Sequence, residues 1–197
     1  MTAIVDYKAG NLTIVRLAFE ALGEDAVVTS DPEVVAKADR VVFPGVGAAA
    51  SAMANLRELG LVDAVKNAAA TKPFLGICLG MQILFEHSEE DGGVDTLGVI
   101  PGHVRRFNDM PGCKIPQIGW NDVATVEGCN VIPSGEFFYF VHSYYAELCP
   151  FTVGVTEYAG EKFTAMVKKD RLLACQFHPE KSGKAGLALL KGWLESC

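Results

Sequence analysis

The first half of the chain alternates short apolar runs with helix-like segments, and this alternation constrains the fold more than any other feature. The apolar runs predict four buried strands, at Ala3–Val5, Ala26–Thr29, Arg40–Phe43 and Phe74–Ile77. Between them, apolar residues from Leu12 to Leu22 share one helical face, Asp31 precedes a proline as a helix start, and a long Ala-rich region breaks near Gly60. Alternating strands and helices predict a mostly parallel central sheet with helices on both faces.

The second half differs in character, because β-like runs dominate it and turn residues are frequent. Five further strands are predicted, at Val99–Val104, Phe137–His142, Thr152–Tyr158, Phe163–Val167 and Leu172–Phe177. A last helix is predicted at Ala185–Leu194. The 197 residues contain no linker or repeat and suffice for one substantial core. We therefore expect one α/β domain over residues 1–197, with its sheet extended by antiparallel strands.

Composition argues against several classes of function. The formal net charge of −7, without a compensating basic cluster, argues against nucleic acid as a partner. The longest weakly polar stretch, Val41–Ala54, is interrupted by Pro44 and is too short to span a membrane. Thr2–Asp6 opens the chain as a strand-like run and not as a signal peptide, so we expect a cytoplasmic protein.

The cysteines predict free thiols. They form no CxxC pair and no zinc-like spacing with histidine, so no zinc site is predicted from them. A chain of this length does not need a disulfide framework, and a reducing compartment is expected. The six cysteines are Cys78, Cys113, Cys129, Cys149, Cys175 and Cys197.

The segment from Phe74 to Gly80 carries the strongest chemical signal. An apolar strand runs into Cys78, which has Gly76 and Gly80 two residues to either side, and a helix is predicted to follow at Leu79–His87. This is the pattern of a nucleophile elbow with cysteine in place of serine. The glycines relieve the crowding of such a turn, and a helix N-terminus favours the thiolate. A structural cysteine buried between two packing glycines is the competing interpretation.

His178 and Glu180 are the candidate base and its orienting group. A thiol nucleophile needs an adjacent base, and the base needs a third group to fix its tautomer. Residues two apart in an extended segment point to the same side, and Pro179 stiffens the spacer. Glu180 can thus hold one ring nitrogen of His178 while the other faces Cys78. Alone, His-Pro-Glu is a weak signal and is more often a surface turn, but here it ends a predicted strand of the same sheet.

The other histidines are weaker candidates for the base. His87 is predicted to end a helix, where it would complement the helix dipole. His103 lies in a polar β-like run and is predicted to face solvent. His142 follows an aromatic strand, which leaves open whether it lies near the site or only in the core.

These motifs resemble the class I, or triad, glutamine amidotransferases. The resemblance rests on Gly-Ile-Cys-Leu-Gly-Met-Gln at 76–82 and His-Pro-Glu at 178–180. Further stretches are similar to one branch of that family, the glutaminase subunits of imidazole glycerol phosphate synthases in histidine biosynthesis: residues 6–12, 44–47, 119–121, 139–144 and 180–182. The resemblance covers the whole chain and implies the flavodoxin-like fold of the family. Lys8 and Gln117 stand where many members have Gly and His.

The resemblance implies a glutaminase that hydrolyses L-glutamine to glutamate and ammonia through a thioester on Cys78. Catalysis would use His178 and Glu180 as the rest of the triad, and the resemblance implies no metal or cofactor. An oxyanion hole is expected from the Leu79 N–H and the Val46–Gly47 region. The residues expected to bind substrate are Gln82, Glu90, His142, Ser143 and Tyr144.

The resemblance also implies a partner, a (β/α)8-barrel cyclase that forms a heterodimer with the glutaminase. The cyclase would use the ammonia to make imidazole glycerol phosphate and AICAR. The residues expected to form the docking face are Asn11, Trp120, Tyr139 and Lys181. Val46 lies between two glycines, so we expect its peptide to adopt the productive orientation only when the partner is engaged.

Two alternatives stay open at this stage. One is a glutaminase for another pathway, such as anthranilate, purine, carbamoyl phosphate or pyridoxal phosphate synthesis, although Pro44–Gly47 and Tyr139–Tyr144 argue against it. The other is a non-catalytic interaction subunit with a vestigial site. That subunit would not be labelled at Cys78 by a glutamine-like electrophile. The complete Cys-His-Glu set argues against this second alternative.

Overall fold

The computed structural model describes residues 1–126 and 129–196. The α-helices in these residues are α1 Leu12–Glu20, α2 Pro32–Lys37, α3 Ala49–Glu58, α4 Val62–Thr71, α5 Leu79–Gln82 and α6 Gly183–Glu195. The strands of the first half are β1 Thr2–Val5, β2 Ala26–Thr29, β3 Arg40–Gly45, β4 Phe74–Cys78, β5 His87–Ser88 and β6 Val94–Asp95. The strands of the second half are β7 His103–Arg106, β8 Gln117–Thr125, β9 Glu136–His142, β10 Tyr144–Ala146, β11 Thr152–Tyr158, β12 Glu161–Lys169 and β13 Leu172–Cys175.

The sheet has a parallel centre and an antiparallel extension. Its main path runs β2-β1-β3-β4-β13-β12-β10-β7-β5-β6, and the first five of these strands are parallel to one another. From β12 onward the pairs are mostly antiparallel, and β11 connects β12 to the β8–β9 hairpin. The predicted α/β class, with a mostly parallel sheet extended by antiparallel strands, is confirmed.

Helices cover both faces of the parallel centre. One face packs on α2 to α5, and the other packs on α1 and α6. Phe19 of α1 meets Trp193 of α6 edge to face, with ring centroids 5.9 Å apart. Every residue of β4 is buried, because the strand is covered from both sides. Burial on both faces explains why the central strands are continuous apolar runs in the sequence.

The helix predicted after Cys78 is wrong in its length. It ends at Gln82 and does not reach His87. The carbonyls of residues 83–85 accept hydrogen bonds from the N–H groups of residues 97–100 at 2.8–2.9 Å, so they are not available to continue the helix. His87 lies instead in β5, beside His103 of β7. A four-residue helix has a small macrodipole. The helix therefore contributes less to the thiolate than predicted, and side chains around the sulfur become more important.

Two strand predictions in the second half also need correction. The strand predicted at Val99–Val104 is wrong, since the observed strand begins only at His103. Residues 97–100 before it form a loop that hydrogen-bonds to the carbonyls of residues 83–85. The sequence reading missed β8, whose outward positions carry Trp120 and Ile118 and whose inward positions include polar Gln117. This mixture gives no clean alternation of apolar and polar residues. Leu172–Phe177 leaves the ladder after Cys175, two residues before its predicted end.

The thiol prediction is confirmed for the described residues. The five cysteines within them are all free, and the sixth, Cys197, lies outside them. No helix within residues 1–126 or 129–196 combines the length and the apolar character needed to cross a membrane.

Candidate active site

The parallel register brings three chain segments together at one edge of the sheet. Gly45 at the end of β3 is aligned with Cys78 at the end of β4, and Cys175 at the end of β13 is aligned with Ile77. The loop after β3, the nucleophile candidate and the segment before His178 are thus neighbours. Ligands of open α/β sheets bind at this carboxyl edge.

The backbone at Cys78 has the strained form of a nucleophile elbow. Its φ of 55° and ψ of −114° lie in a region that residues with a side chain rarely adopt. The two flanking glycines are sterically required. A Cβ at Gly80 would lie 1.8 Å from the Phe43 carbonyl oxygen, and one at Gly76 would lie 2.9 Å from the Cβ of Ala174. The sequence reasoning that these glycines relieve crowding is confirmed.

His178 and Glu180 form a buried pair. Nδ1 of His178 lies 2.8 Å from Oε1 of Glu180, and the two side chains are only 4% and 3% exposed. Because a carboxylate accepts, Nδ1 carries the proton, and the other ring nitrogen is left free to face Cys78, which lines the same cavity. Burial alone would lower the pKa of His178, but the negative charges of Cys78 and Glu180 outweigh it and raise the pKa to about 10. The His178 imidazolium therefore persists at neutral pH.

The backbone of His178 is anchored on β9. Its N–H donates to the Tyr139 carbonyl at 2.9 Å. The Ser182 hydroxyl donates to the His178 carbonyl at 2.6 Å and accepts from the Tyr139 N–H at 3.0 Å. The position of the base is thus fixed by the same strand that carries Tyr139, which the sequence assigned to the docking face.

A cavity of about 270 Å³ lies over Cys78 and His178. Its size is at the small end of the range for ligand sites and suits a small metabolite. Every residue predicted for the oxyanion hole and for substrate binding lines this cavity. The predicted residues that line it are Val46, Gly47, Cys78, Leu79, Gln82, Glu90, His142, Ser143, Tyr144, His178 and Lys181.

A second, larger cavity of about 450 Å³ lies elsewhere, between α6 and the turn that joins β12 to β13. Among the described residues, its lining includes Lys168 and Arg171 but neither Cys78 nor a histidine. It opens at the amino ends of β4 and β13, away from the carboxyl edge. Its greater volume does not outweigh the convergence of reactive groups at the smaller cavity.

The residues predicted to supply the oxyanion donors line the same cavity as Cys78. Leu79 is the first residue of α5, so its N–H has no partner within the helix. Gly47 has a φ of 99° and open space where a Cβ would stand, and Val46 is 43% exposed. The backbone of this loop therefore meets little steric resistance to rotation.

Gln82 and Glu90 both reach the cavity, but protein groups already hold part of each side chain. Nε2 of Gln82 donates to the Tyr144 carbonyl and to Oε1 of Gln176, both at 2.8 Å. Oε2 of Glu90 accepts from the N–H of Ala49, the first residue of α3, at 2.6 Å. Only the acceptor end of Gln82 is left for a ligand, whereas Glu90 keeps a second oxygen.

His142 lies at the cavity and in the core at the same time. It is 6% exposed, and its ring centroid lies 5.3 Å from those of Phe107 and Phe163. Burial, with His178 as a further positive charge nearby, lowers the pKa of His142 to about 4. Its Nδ1 donates to the Tyr144 carbonyl at 2.8 Å, so the ring is neutral with the proton on Nδ1.

The four predicted docking residues fall into two neighbouring pairs. Trp120 and Tyr139 are cross-strand partners on the outer face of the β8–β9 hairpin, with ring centroids 6.1 Å apart. Trp120 is 56% exposed. Asn11 and Lys181 are exposed and line one small depression beside Glu180.

Sequence reasoning missed several residues that the structure brings to these places. Gln176, two positions before His178 in an extended segment, points to the same side and contacts Cys78. The same two-residue spacing that selected Glu180 predicts this. Ile118 and Phe137, 64% and 55% exposed, extend the apolar outer face of the hairpin. They were missed because β8 was not predicted.

Comparisons with known proteins agree with this geometry. The family model for class I glutamine amidotransferases matches residues 4–195. The imidazole glycerol phosphate synthase subunit HisH of Yersinia pseudotuberculosis is 46% identical, with 98% of this chain and 97% of the relative covered. The subunit of the same name from Methanothermobacter thermautotrophicus is 48% identical, with 99% and 98% covered. A crystal structure of a glutamine amidotransferase has the same fold, with a TM-score of 0.75 at 20% identity over 98% of this chain and 97% of its own. The chain therefore belongs to the class I glutamine amidotransferases and, within them, to the family of imidazole glycerol phosphate synthase HisH subunits.

Proposed function

We propose that the chain is the glutaminase subunit of an imidazole glycerol phosphate synthase, hydrolysing L-glutamine to glutamate and ammonia for a (β/α)8-barrel cyclase in histidine biosynthesis. The observation that carries this proposal is the meeting of Cys78 and His178 at the wall of one small cavity, with Glu180 hydrogen-bonded to the far side of the His178 ring. Family membership supplies the reaction type, and the position of these side chains supports the roles proposed for them below.

The first half of the reaction releases ammonia. The Cys78 thiolate attacks the side-chain amide carbon of glutamine, and the carbonyl oxygen becomes an oxyanion. The His178 imidazolium gives its proton to the amide nitrogen, the C–N bond breaks, and ammonia leaves behind a γ-glutamyl thioester. Glu180 keeps the ring aligned and offsets its charge throughout.

The second half regenerates the nucleophile. His178, now neutral, takes a proton from water as the water oxygen attacks the thioester carbon. Collapse of this second tetrahedral intermediate breaks the C–S bond and gives glutamate. The sulfur leaves as a thiolate beside the newly formed imidazolium, which is the starting state.

The N–H groups of Leu79 and of the Val46–Gly47 loop are assigned to the oxyanion. Loss of one such donor typically costs roughly a hundredfold or more in rate. The loop is assigned a switching role, because Gly47, which follows Val46, has a positive φ and open space around it, so the Val46–Gly47 peptide can rotate. Equal glutaminase rates with and without the ligand-bound cyclase would refute this switch.

Substrate recognition is assigned to the remaining cavity residues. The free oxygen of Glu90 pairs with the α-ammonium of glutamine, and backbone N–H groups from His142 to Tyr144 bind its carboxylate. Gln82 has both N–H groups committed to protein acceptors, so its role in binding is limited to its oxygen. Glu90 therefore carries most of the charge recognition.

The cyclase partner is proposed to dock on the outer face of the β8–β9 hairpin and on the depression lined by Asn11 and Lys181. Ammonia reacts as a nucleophile only while unprotonated, so delivery through a closed interface prevents its loss to bulk water. Trp120 and Tyr139 give the aromatic anchors that interfaces favour, and Asn11 and Lys181 give polar contacts beside Glu180. The glutaminase and the cyclase are proposed to form a heterodimer in the cytoplasm.

The test is glutamine hydrolysis by the wild type and by Cys78→Ala, each with the barrel cyclase and its ligand. Only the wild type is expected to form glutamate. Cys113→Ala is the matched control, because Cys113 is a free thiol that does not line the cavity. Comparable glutamate formation by Cys78→Ala and the wild type would refute the assignment.

A further inference from the structure

The Cys78 sulfur has a second polar neighbour besides His178. Nε2 of Gln176 lies 3.7 Å from Sγ, within hydrogen-bond distance for sulfur. The Gln176 side chain is fully buried and does not line the cavity. It therefore cannot contact a substrate there directly, and any effect on the reaction passes through the sulfur.

A relay of hydrogen bonds fixes the orientation of this amide. The Tyr144 carbonyl can only accept, so the group of Gln82 that faces it at 2.8 Å is the NH2. The second N–H of the same nitrogen donates to Gln176 at 2.8 Å, which makes that atom the amide oxygen. The NH2 group of Gln176 is then the end that faces Cys78. A flipped amide would place NH2 against NH2 on one side and oxygen against sulfur on the other.

Other groups around the sulfur do not favour the thiolate. The Val141 carbonyl lies 3.9 Å from Sγ, where it would accept a proton from the thiol. Tyr7 and Cys175 are the nearby ionisable groups besides His178, and burial raises the pKa of both, so both remain neutral. The Cys175 sulfur faces the carbonyls of Gly76 and Phe177. Gln176 is therefore the side chain that donates a hydrogen bond to the Cys78 sulfur in the described part of the chain, and His178 lines the same cavity.

We propose that Gln176 is a positioning residue that stabilises the Cys78 thiolate, and that Gln82 serves mainly to aim it. This inference rests on the proposed function in one respect, the assignment of Cys78 as the nucleophile. The short α5 gives the relay its importance, since the helix dipole is too small to hold the thiolate by itself. A hydrogen bond to a charged group in a buried site is among the stronger ones in a protein.

The test follows alkylation of Cys78 by iodoacetamide as a function of pH, with the modified peptide quantified by mass spectrometry. Iodoacetamide reports the thiolate without requiring glutamine. In Gln176→Met, which keeps length but loses the donor, the pH of half-maximal rate is expected to rise by about one unit, a tenfold loss of thiolate at neutral pH. Gln176→Glu places an acceptor at the sulfur, and a larger rise is expected. Gln82→Met frees the Gln176 amide to flip, and a smaller rise is expected.

Gln117→Met is the matched control, because Gln117 is also a buried glutamine but has no contact with Cys78, and its profile is expected to match the wild type. With the cyclase bound, Gln176→Met is expected to lose about tenfold in kcat with an unchanged KM, which a substrate-binding residue would not show. An unchanged alkylation profile in a folded Gln176 variant would overturn the proposal.

The wild type gives an independent readout if the variants do not fold. In NMR spectra of the wild type, the side-chain NH2 resonances of Gln176 are expected to change with pH and to have the same midpoint as Cys78 alkylation. A different midpoint for these resonances would overturn the proposal.

The outcomes also separate this inference from the proposed function. A relay effect on alkylation without glutaminase activity refutes the function alone, whereas intact glutaminase with an unchanged Gln176→Met profile refutes the relay alone.

Discussion

His142 makes the free energy of unfolding depend on pH. Burial lowers its pKa from 6.5 to about 4, and Nδ1–H is already used by the Tyr144 carbonyl. Because the unfolded chain takes up the proton first as pH falls, the contribution is present above pH 6.5 and is lost from 6.5 towards 4. At about 1.4 kcal/mol per pH unit, the full contribution is about 3 kcal/mol, of which about 2 kcal/mol is lost between pH 7.5 and pH 5.

The perturbation that isolates this effect is His142→Asn. Asparagine places an N–H near the position of Nδ1 but does not titrate, so the hydrogen bond to the Tyr144 carbonyl is retained while the proton uptake is removed. The variant is expected to be less stable at both pH values, because it loses ring packing against Phe107 and Phe163. The informative quantity is the change between pH 7.5 and pH 5 within each protein.

The assay is urea unfolding at the two pH values for the wild type, His142→Asn and His103→Asn. The wild type is expected to lose about 2 kcal/mol more than His142→Asn between pH 7.5 and pH 5. His103 is exposed, so His103→Asn is expected to follow the wild type. Equal losses in the wild type and in His142→Asn would refute the assignment of His142 as a buried neutral ring.

Three further predictions concern packing, docking and substrate charge. Gly186→Ala is expected to destabilise the fold by at least about 2 kcal/mol in urea unfolding, since its Cβ would lie 1.8 Å from the Pro179 carbonyl oxygen. Gly192→Ala, in the same helix with open space, is expected to stabilise by about 0.5–1 kcal/mol, and the reverse order would contradict the packing of α6. Trp120→Ala is expected to leave the melting temperature unchanged but weaken cyclase binding, measured by calorimetry, by about 2 kcal/mol; unchanged affinity would remove this residue from the interface. Glu90→Gln is expected to raise KM for glutamine at least about tenfold with little change in kcat. Glu89→Gln, which weakens the contacts of Glu89 with the Arg105 side chain and the Arg106 N–H, is expected to keep the wild-type KM, and equal KM values for the two variants would exclude the ammonium contact.

The sequence predicts the parallel half of the fold well because both of its faces are buried. Continuous apolar runs then mark strands, and Asp31 does accept the N–H of Glu33 as a helix cap, as its position before proline predicts. The prediction fails where long-range hydrogen bonds compete with local pattern. Leu79 to His87 has a helix-like sequence, yet carbonyls 83–85 bond to residues 97–100. A single sequence does not reveal such pairing.

The catalytic candidates were predictable because their spacing is local. The elbow and the His-Pro-Glu turn each depend on residues within a few positions, and strand alternation predicts which side they face. The relay through Gln176 joins residues 94 and 98 positions apart, so it emerges only when β4 and β13 are known to be neighbours. The hairpin proposed as the docking surface was only partly predicted, since Trp120 and Tyr139 were selected without knowledge of β8.

The central claim is that the Cys78 sulfur carries the glutamine carbon through the reaction. The direct measurement is acid quenching of the wild type while it turns over glutamine with the cyclase and its ligand, followed by peptide mass spectrometry. The account predicts one γ-glutamyl group, labile to hydroxylamine, on the peptide that contains Cys78. Glutamine consumption without that adduct under conditions that trap thioesters, or the adduct on Cys113, Cys129 or Cys149 in its place, would contradict the account.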